Sequence, residues 1–466
     1  MTILIDLLFI ILTYFLIIFY LRSRSQESHW DWDQIDINDL HFPKGFIWGT
    51  ATAAHQVEGG CTNNNWSEWE QSVDDDGQPR IRNGDISGTA CDHWNRYRED
   101  ILLMKDLGVK SYRFSVEWSK IEPEAGQFDQ TAIQHYSDVI DALLEYGIEP
   151  VITLYHFTHP IWFKNLGSFE KVENIDYFSR FCQRVFGEYS DRVKKWCTIN
   201  EIEVEASQGY FLGIWPPGKK DPARMGVVIK NLLEAHVRVY HALKNLAAGN
   251  RVEIGLVKNI FQFDPYRSWH LMDHILGLIL NYILNTAILN FFRTGKFRIY
   301  IPFLLNVSHT NPQAISSNDF LGLNYYSHFT VKTRWNPKDF FELKIRSGET
   351  PTDMDYSIYP EGFYRALLEI DKLGYPIYVT ENGIADHKDD RRELFIRRYL
   401  YALSRAIDSD VDVRGYYYWS LMDNFEWAAG YDMKFGLYEV NFDTQERILR
   451  QGSKVYRDVI RRTGTT

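Results

Sequence analysis

The stretch VKKWCTINEIEVEA, residues 193–206, runs an apolar, β-branched segment into a cluster of polar groups: Asn200 and Glu201 at its end, Glu203 and Glu205 just beyond. The run from 194 to 199 reads as a buried strand, so the carboxylates collect where that strand stops. A strand covered on both faces that ends in chemistry-bearing side chains is the pattern of a parallel sheet with its site at the strand ends.

The pattern recurs along the chain. FIWGTATAAHQ (46–56), VKSYRFSV (109–116), IEPVITLYH (148–156), VEIGLVKN (252–259), DFLGLNYY (319–326), PIYVTEN (376–382) and RGYYYWSL (414–421) join VKKWCTIN (193–200) to make eight strand-like runs. Between them, residues 94–107, 133–146, 177–189, 227–248, 275–292, 359–373 and 391–409 space apolar residues near a 3.6 period and predict helices. Alternating strand and helix eight times predicts an α/β fold, a (β/α)8 TIM barrel. In that barrel the strand ends converge on one mouth. They bring Gln56, Arg113, His156, Asn200 with Glu201, Asn259, Asn324 with Tyr326, Glu381 with Asn382, and Trp419. Any one of these has a plain structural role open to it, but eight at one rim point to a site.

Composition narrows the chemistry. A chain of 466 residues, 45% hydrophobic and 24% charged, buries a large core. The net charge of −11 excludes the basic face that nucleic-acid binding needs. Aromatics at 15% suit a site that stacks flat rings or sugar faces. Cys61, Cys91, Cys182 and Cys197 are too scattered for a zinc knuckle or a disulfide framework.

The N-terminus departs from the rest. Residues 7–21 (LLFIILTYFLIIFYL) carry no charge, and the apolar stretch from residue 3 approaches the length that spans a bilayer. Asp6 precedes it and Arg22 and Arg24 follow, the reverse of a cleaved signal peptide, so a retained single-pass membrane anchor through residues 3–21 is expected. The expected organisation is an anchor over 1–24, a polar tether over 25–41 and one barrel domain over 42–466. The positive-inside tendency places the barrel on the cytoplasmic side. Residues 275–292 form a second uncharged run, read either as a sheet-covering helix or as a surface resting on the bilayer, its outer face offering Asn281, Asn285, Thr286 and Asn290.

Glu201 and Glu381 end the fourth and seventh strands and can face each other across the mouth. Such a pair suits cleavage of a glycosidic bond, one carboxyl protonating the leaving oxygen and the other attacking the anomeric carbon, with about 5 Å between them. The division of labour needs burial or negative charge around the acid and a partner such as Arg113 beside the nucleophile.

The motifs FPKGFIWGTATAAHQVEG, YRFSVEWSKIEP, TLYHFTHP, TINE, DFLGLNYY, VTENG and WSLMDNFEWAAGY stand in order between about residues 42 and 461. Through them the chain resembles glycoside hydrolase family 1, the β-glucosidase family. The resemblance implies a retaining β-glycosidase with Glu201 as acid/base and Glu381 as nucleophile. It assigns Gln56, His156, Asn200, Glu426 and Trp427 to the hydroxyls of the nonreducing sugar and Trp419 to the platform beneath it. Tyr326 becomes a hydrogen-bond donor to the nucleophile, and Arg113, with Asn324, its support. It implies no metal or organic cofactor. Glu426 stands where the 6-phospho branch carries serine and basic residues, so the expected substrate is an unphosphorylated β-O-glycoside, with amphiphilic aglycones in view. Two other readings share the scaffold: a transglycosidase on the same site, and a non-catalytic membrane-tethered sugar-binding protein.

One departure bears on the acid. The family motif continues from Asn-Glu to Pro, whereas Ile202 follows Glu201, which predicts a less restrained loop. Glu203 and Glu205 are expected either as incidental charge on a solvated loop or as like charges that raise the pKa of Glu201.

Overall fold

The computed structural model describes residues 2–24, 30–32, 35–37, 40–336 and 340–463. Eight parallel strands close a barrel: β1 (Ile47–Ala51), β2 (Ser111–Ser115), β3 (Glu149–Tyr155), β4 (Lys195–Asn200), β5 (Glu253–Asn259), β6 (Phe320–Asn324), β7 (Ile377–Asn382) and β8 (Val413–Trp419). The ring shuts where β1 pairs with β8, Ile47 opposite Gly415 through Ala51 opposite Trp419. Every residue of β2, β4, β6 and β7 is buried, as strands lined inside by side chains and covered outside by helices must be.

The N-terminal helix is α1 (Thr2–Arg24), and the helices that alternate with the strands are α2 (His93–Leu107), α3 (Gln130–Glu145), α4 (Ile175–Tyr189), α5 (Pro222–Lys244), α6 (Leu271–Thr294), α7 (Pro360–Asp371), α8 (Arg392–Ile407) and α9 (Lys454–Thr463). Their starts follow local chemistry. Asp129 accepts from the amides of Thr131 and Ala132 to begin α3, and Asp221 does the same for Ala223 and Arg224 ahead of Pro222 in α5. The expected helices fall on α2 to α8 with ends shifted by a few residues. The eighth, α9, was not among them: it is only 10 residues long and buries just Val455, Tyr456, Val459 and Ile460.

Between β5 and α7 the chain adds a rim. Strands Gln262–Pro265, His328–Thr333 and Phe341–Lys344 form a small sheet beside α6, and a hairpin pairs Lys296–Ile301 with Leu305–Thr310. Within 25–41, expected as a polar tether, some of the described residues pack on the barrel while Asp31, Asp36 and His41 stay exposed. Trp30 meets Tyr364 and Tyr401 edge-on at 5.7 and 5.4 Å, and Ile37 and Leu40 join the core. Apolar residues in that stretch had a barrel wall to bury against.

Candidate active site

Six of the eight rim groups lie where the strands stop. Arg113 is the middle residue of β2, and Gln56 lies past β1, which ends at Ala51, on a short helix, Ala54–Val57. Tyr326 likewise lies two residues past β6.

Glu381, on β7, is held by two donors: Arg113 Nη1 gives to Oε1 at 2.6 Å and the Tyr326 hydroxyl to Oε2 at 2.7 Å. Arg113 is fully buried and spends its remaining donors on Thr153 Oγ1, Thr380 O and Asn200 Oδ1. That fork is fixed on four sides, so it positions the carboxylate as well as pairing its charge.

Glu201 is held differently. Asn259 Nδ2 and Asn324 Nδ2 both donate to its Oε1, each at 2.7 Å, and a proton on this carboxyl falls to Oε2. Burial, reinforced by the neighbouring Glu381 and by Glu203, pushes the Glu201 carboxyl up to about 8. Its backbone sits in the left-handed region, φ 47°, a strained setting for a residue with a Cβ. The strain is held by Glu201 N donating to Val257 O and by the short helix Ile202–Ala206 that starts at once. Ile202 is completely buried as the first residue of that helix, so side-chain packing restrains the position where the family's proline is missing.

Asn200 links the two carboxyls. Its Oδ1 accepts from Arg113 at 2.7 Å and from Asn324 at 3.2 Å, so its amide nitrogen must face His156 Nε2, 3.3 Å away. His156 Nε2 is therefore an acceptor and Nδ1 carries the hydrogen. Burial, with Arg113 nearby, holds this imidazole well below its ordinary pKa, so it is neutral. Nδ1 is buried with no partner among the described residues, as is Oε1 of Gln56, whose Nε2 donates to Asn424 Oδ1, Phe425 O and Glu426 Oε2. Orphaned buried donors and acceptors of this kind await a polyhydroxylated ligand. Burial, with Glu381 adding, pushes the Glu426 carboxyl up to about 8. Trp419 and Trp427 lie nearly parallel to the His156 ring at 5.8 and 6.1 Å.

His156, Asn200, Glu201, Tyr326, Glu381, Trp419, Glu426 and Trp427 line one cavity of about 340 Å³. Its outer half is apolar, with Phe211, Phe261, Phe329, Leu284, Phe341 and Leu343 in the walls. Asn259 belongs to this site and was read only as a strand end; its place at the end of β5, opposite Glu201, was the available signal.

Glu203 and Glu205 overturn the solvated-loop expectation: both are buried. Glu203 Oε1 lies 3.0 Å from Lys258 Nζ and accepts from Asn259 N at 2.8 Å. Glu205 Oε1 accepts from the Tyr155 hydroxyl at 2.7 Å, while Oε2 has no hydrogen-bond partner among the described residues. Glu203 lines the cavity and Glu205 turns away from it.

A barrel with two buried, differently held glutamates in an aromatic, hydroxyl-seeking cavity at its strand ends defines a glycoside hydrolase. The comparisons agree: residues 38–465 match the model for glycosyl hydrolase family 1, and the chain belongs to that family. It is 34% identical over 457 residues to beta-glucosidase A of Thermotoga maritima, covering 92% of this chain and 99% of that protein. A 6-phospho-beta-galactosidase of Clostridium acetobutylicum is 32% identical over 89% of this chain and 95% of its own. Among solved structures, a beta-glycosidase from Pyrococcus horikoshii aligns with a TM-score of 0.81 at 38% identity, covering 91% and 95% of the two chains. The beta-glucosidase from Thermotoga maritima in complex with glucoimidazole aligns with the same TM-score at 32% identity, covering 91% and 99%.

Proposed function

We propose that the chain is a retaining β-glycosidase, β-glucosidase-like, acting on unphosphorylated β-O-glycosides with apolar or amphiphilic aglycones. The observation that carries it is the unequal holding of two glutamates in one cavity. Glu201 keeps its proton to about pH 8, as a general acid must, while Glu381 sits between a guanidinium and a phenol as an anchored anion. Glu381 attacks the anomeric carbon as Glu201 protonates the departing oxygen. Glu201, now ionised, then takes a proton from the water that releases the sugar. Two amides on Oε1 steady that anion without displacing the proton site.

Family likeness alone does not decide the sugar, since a 6-phospho-beta-galactosidase is nearly as similar as the beta-glucosidases. The cavity favours a neutral one: among the described residues no lysine or arginine lines it, and Glu426 stands beside Gln56 at the sugar end, so a phosphate would be buried unpaired. The apolar outer half fits an apolar leaving group.

The test is Glu381→Ala with p-nitrophenyl β-glucoside. Turnover should fall by about 10⁴-fold or more and azide should restore part of it as a β-linked-to-α-linked glycosyl azide switch, the signature of a lost nucleophile. Full activity in the variant would refute the assignment, and a preference for the 6-phosphorylated substrate would refute the neutral sugar.

A further inference from the structure

Helices α1 and α6 meet at one point. The Tyr14 hydroxyl of α1 donates to the carbonyl of Trp269, at the entry to α6, and Ile18, one turn on, is buried, whereas Phe9 and Phe19 are 69% and 73% exposed. With α1 seated there, α6 still shows Met272, Ile275, Leu278 and Tyr282 to the outside, 36–55% exposed and spaced as one face of a helix. Its other face carries Leu280, Ile283 and Leu284 into the catalytic cavity. Of the outer face read from sequence, Thr286 is exposed as expected, but Asn285 is buried and donates to Phe261 O, and Asn281 donates to Phe263 O. A single helix, apolar on both sides, separates the aglycone end of the cavity from the surroundings.

The contact with α1 sets a depth. From Tyr14 to Arg22, the first charge after the apolar run, α1 rises only about 12 Å at ~1.5 Å per residue, and a spanning helix keeps that charge at the edge of the ~30 Å hydrocarbon layer. An α1 that crosses a bilayer while seated on Trp269 must therefore draw Trp269 and the head of the stripe roughly 10 Å below the interface. A polar stripe would forbid this; the observed one, uncharged from Met272 to Tyr282 apart from buried Asp273 and His274, suits it.

We infer that α6 is a bilayer-immersed wall of the active site, and that a lipid-borne β-glycoside enters the cavity from the acyl-chain layer with its sugar leading. The inference rests on the β-glycosidase reading for its substrate but not for its geometry. The exposed rim residues Leu212 and Leu343, which also line the cavity, are where such a chain would trail.

The test uses the full chain reconstituted in phosphatidylcholine vesicles. Leu278→Cys, labelled with an environment-sensitive fluorophore in a protein whose four native cysteines are buried, should be quenched by acyl-chain nitroxide lipids and shielded from aqueous iodide. Iodide quenching of vesicle-bound protein overturns the inference, as does shielding that appears without lipid and grows with protein concentration, which would assign the stripe to a second copy. Ile275→Glu/Leu278→Glu should lower turnover of a long-chain alkyl β-glucoside held in vesicles by about tenfold or more, while turnover of a soluble aryl β-glucoside stays within about twofold. Equal loss on both substrates, or none on either, also overturns it. A wild type inert toward the soluble glycoside removes the glycosidase reading instead, and the depth measurement then decides the placement of α6 alone.

Discussion

At the scale of single residues, the division between Glu201 and Glu381 comes from neighbours that the sequence only partly announces. Glu201 and Glu381 were legible because each stands where a strand stops, and Arg113 was legible as the partner of Glu381; Asn324, expected to support Glu381, instead donates to Oε1 of Glu201. Asn259 was legible as a strand end but not as a partner of Glu201, and Lys258 was not legible at all, since nothing local says that a β5 side chain will reach back to β4. Glu203 is the instructive case. It is a like charge beside Glu201, as one sequence reading had it, but it is paired with Lys258 and ranks behind burial and Glu381 in raising the Glu201 carboxyl. Glu203→Gln removes the negative charge and leaves the ammonium, so the pKa of Glu201 should drop. The basic limb of the kcat/KM profile against pH should move to lower pH, by roughly half a unit to one unit. An unmoved limb would mean that Glu203 does not act on the acid.

At the scale of elements, the end of β7 shows how a strand is fixed by what lies across the barrel. Gly383 follows Glu381 and Asn382, and a Cβ there would stand 1.7 Å from the carbonyl oxygen of Trp419, the last residue of β8. The glycine is required by this close approach of two backbones, and it sets the distance between Glu381 and the Trp419 indole. Gly383→Ala must push β7 and β8 apart. It should lower kcat/KM by about 10²-fold, because a shift near 1 Å at the reacting groups costs that much, and should lower Tm as well. Wild-type kinetics in this variant would show that the two strand ends move independently. The strands themselves were readable because a doubly covered parallel strand is a short apolar run with little else to be. Elements set by tertiary cover were harder to read. Gln56 was placed on a strand but lies on a four-residue helix over the mouth, and the helix Ile202–Ala206 looked like a charged loop because three carboxyls in nine residues are rarely all buried.

At the scale of the whole molecule, the barrel buries more acid than the chemistry requires. Burial pushes Glu201, Glu205 and Glu426 each to about 8, yet only Glu201 and Glu426 line the catalytic cavity. Folded, these carboxyls hold their protons to about pH 8; unfolded, they release them near 4.5. Between those values the folded state binds more protons, so the free energy of unfolding falls as pH rises, and the stability they contribute in acid is gone above pH 8. Glu205 isolates the effect because its cause is burial alone, opposed only by the Tyr155 hydroxyl, and among the described residues no partner meets its Oε2. Glu205→Gln keeps the shape and the bond from Tyr155 but cannot ionise. Its Tm should match the wild type near pH 5 and exceed it by a few degrees at pH 8, with kcat/KM on a soluble aryl glycoside retained. A Tm difference that stays constant across that range would trace the effect to packing rather than to the buried charge.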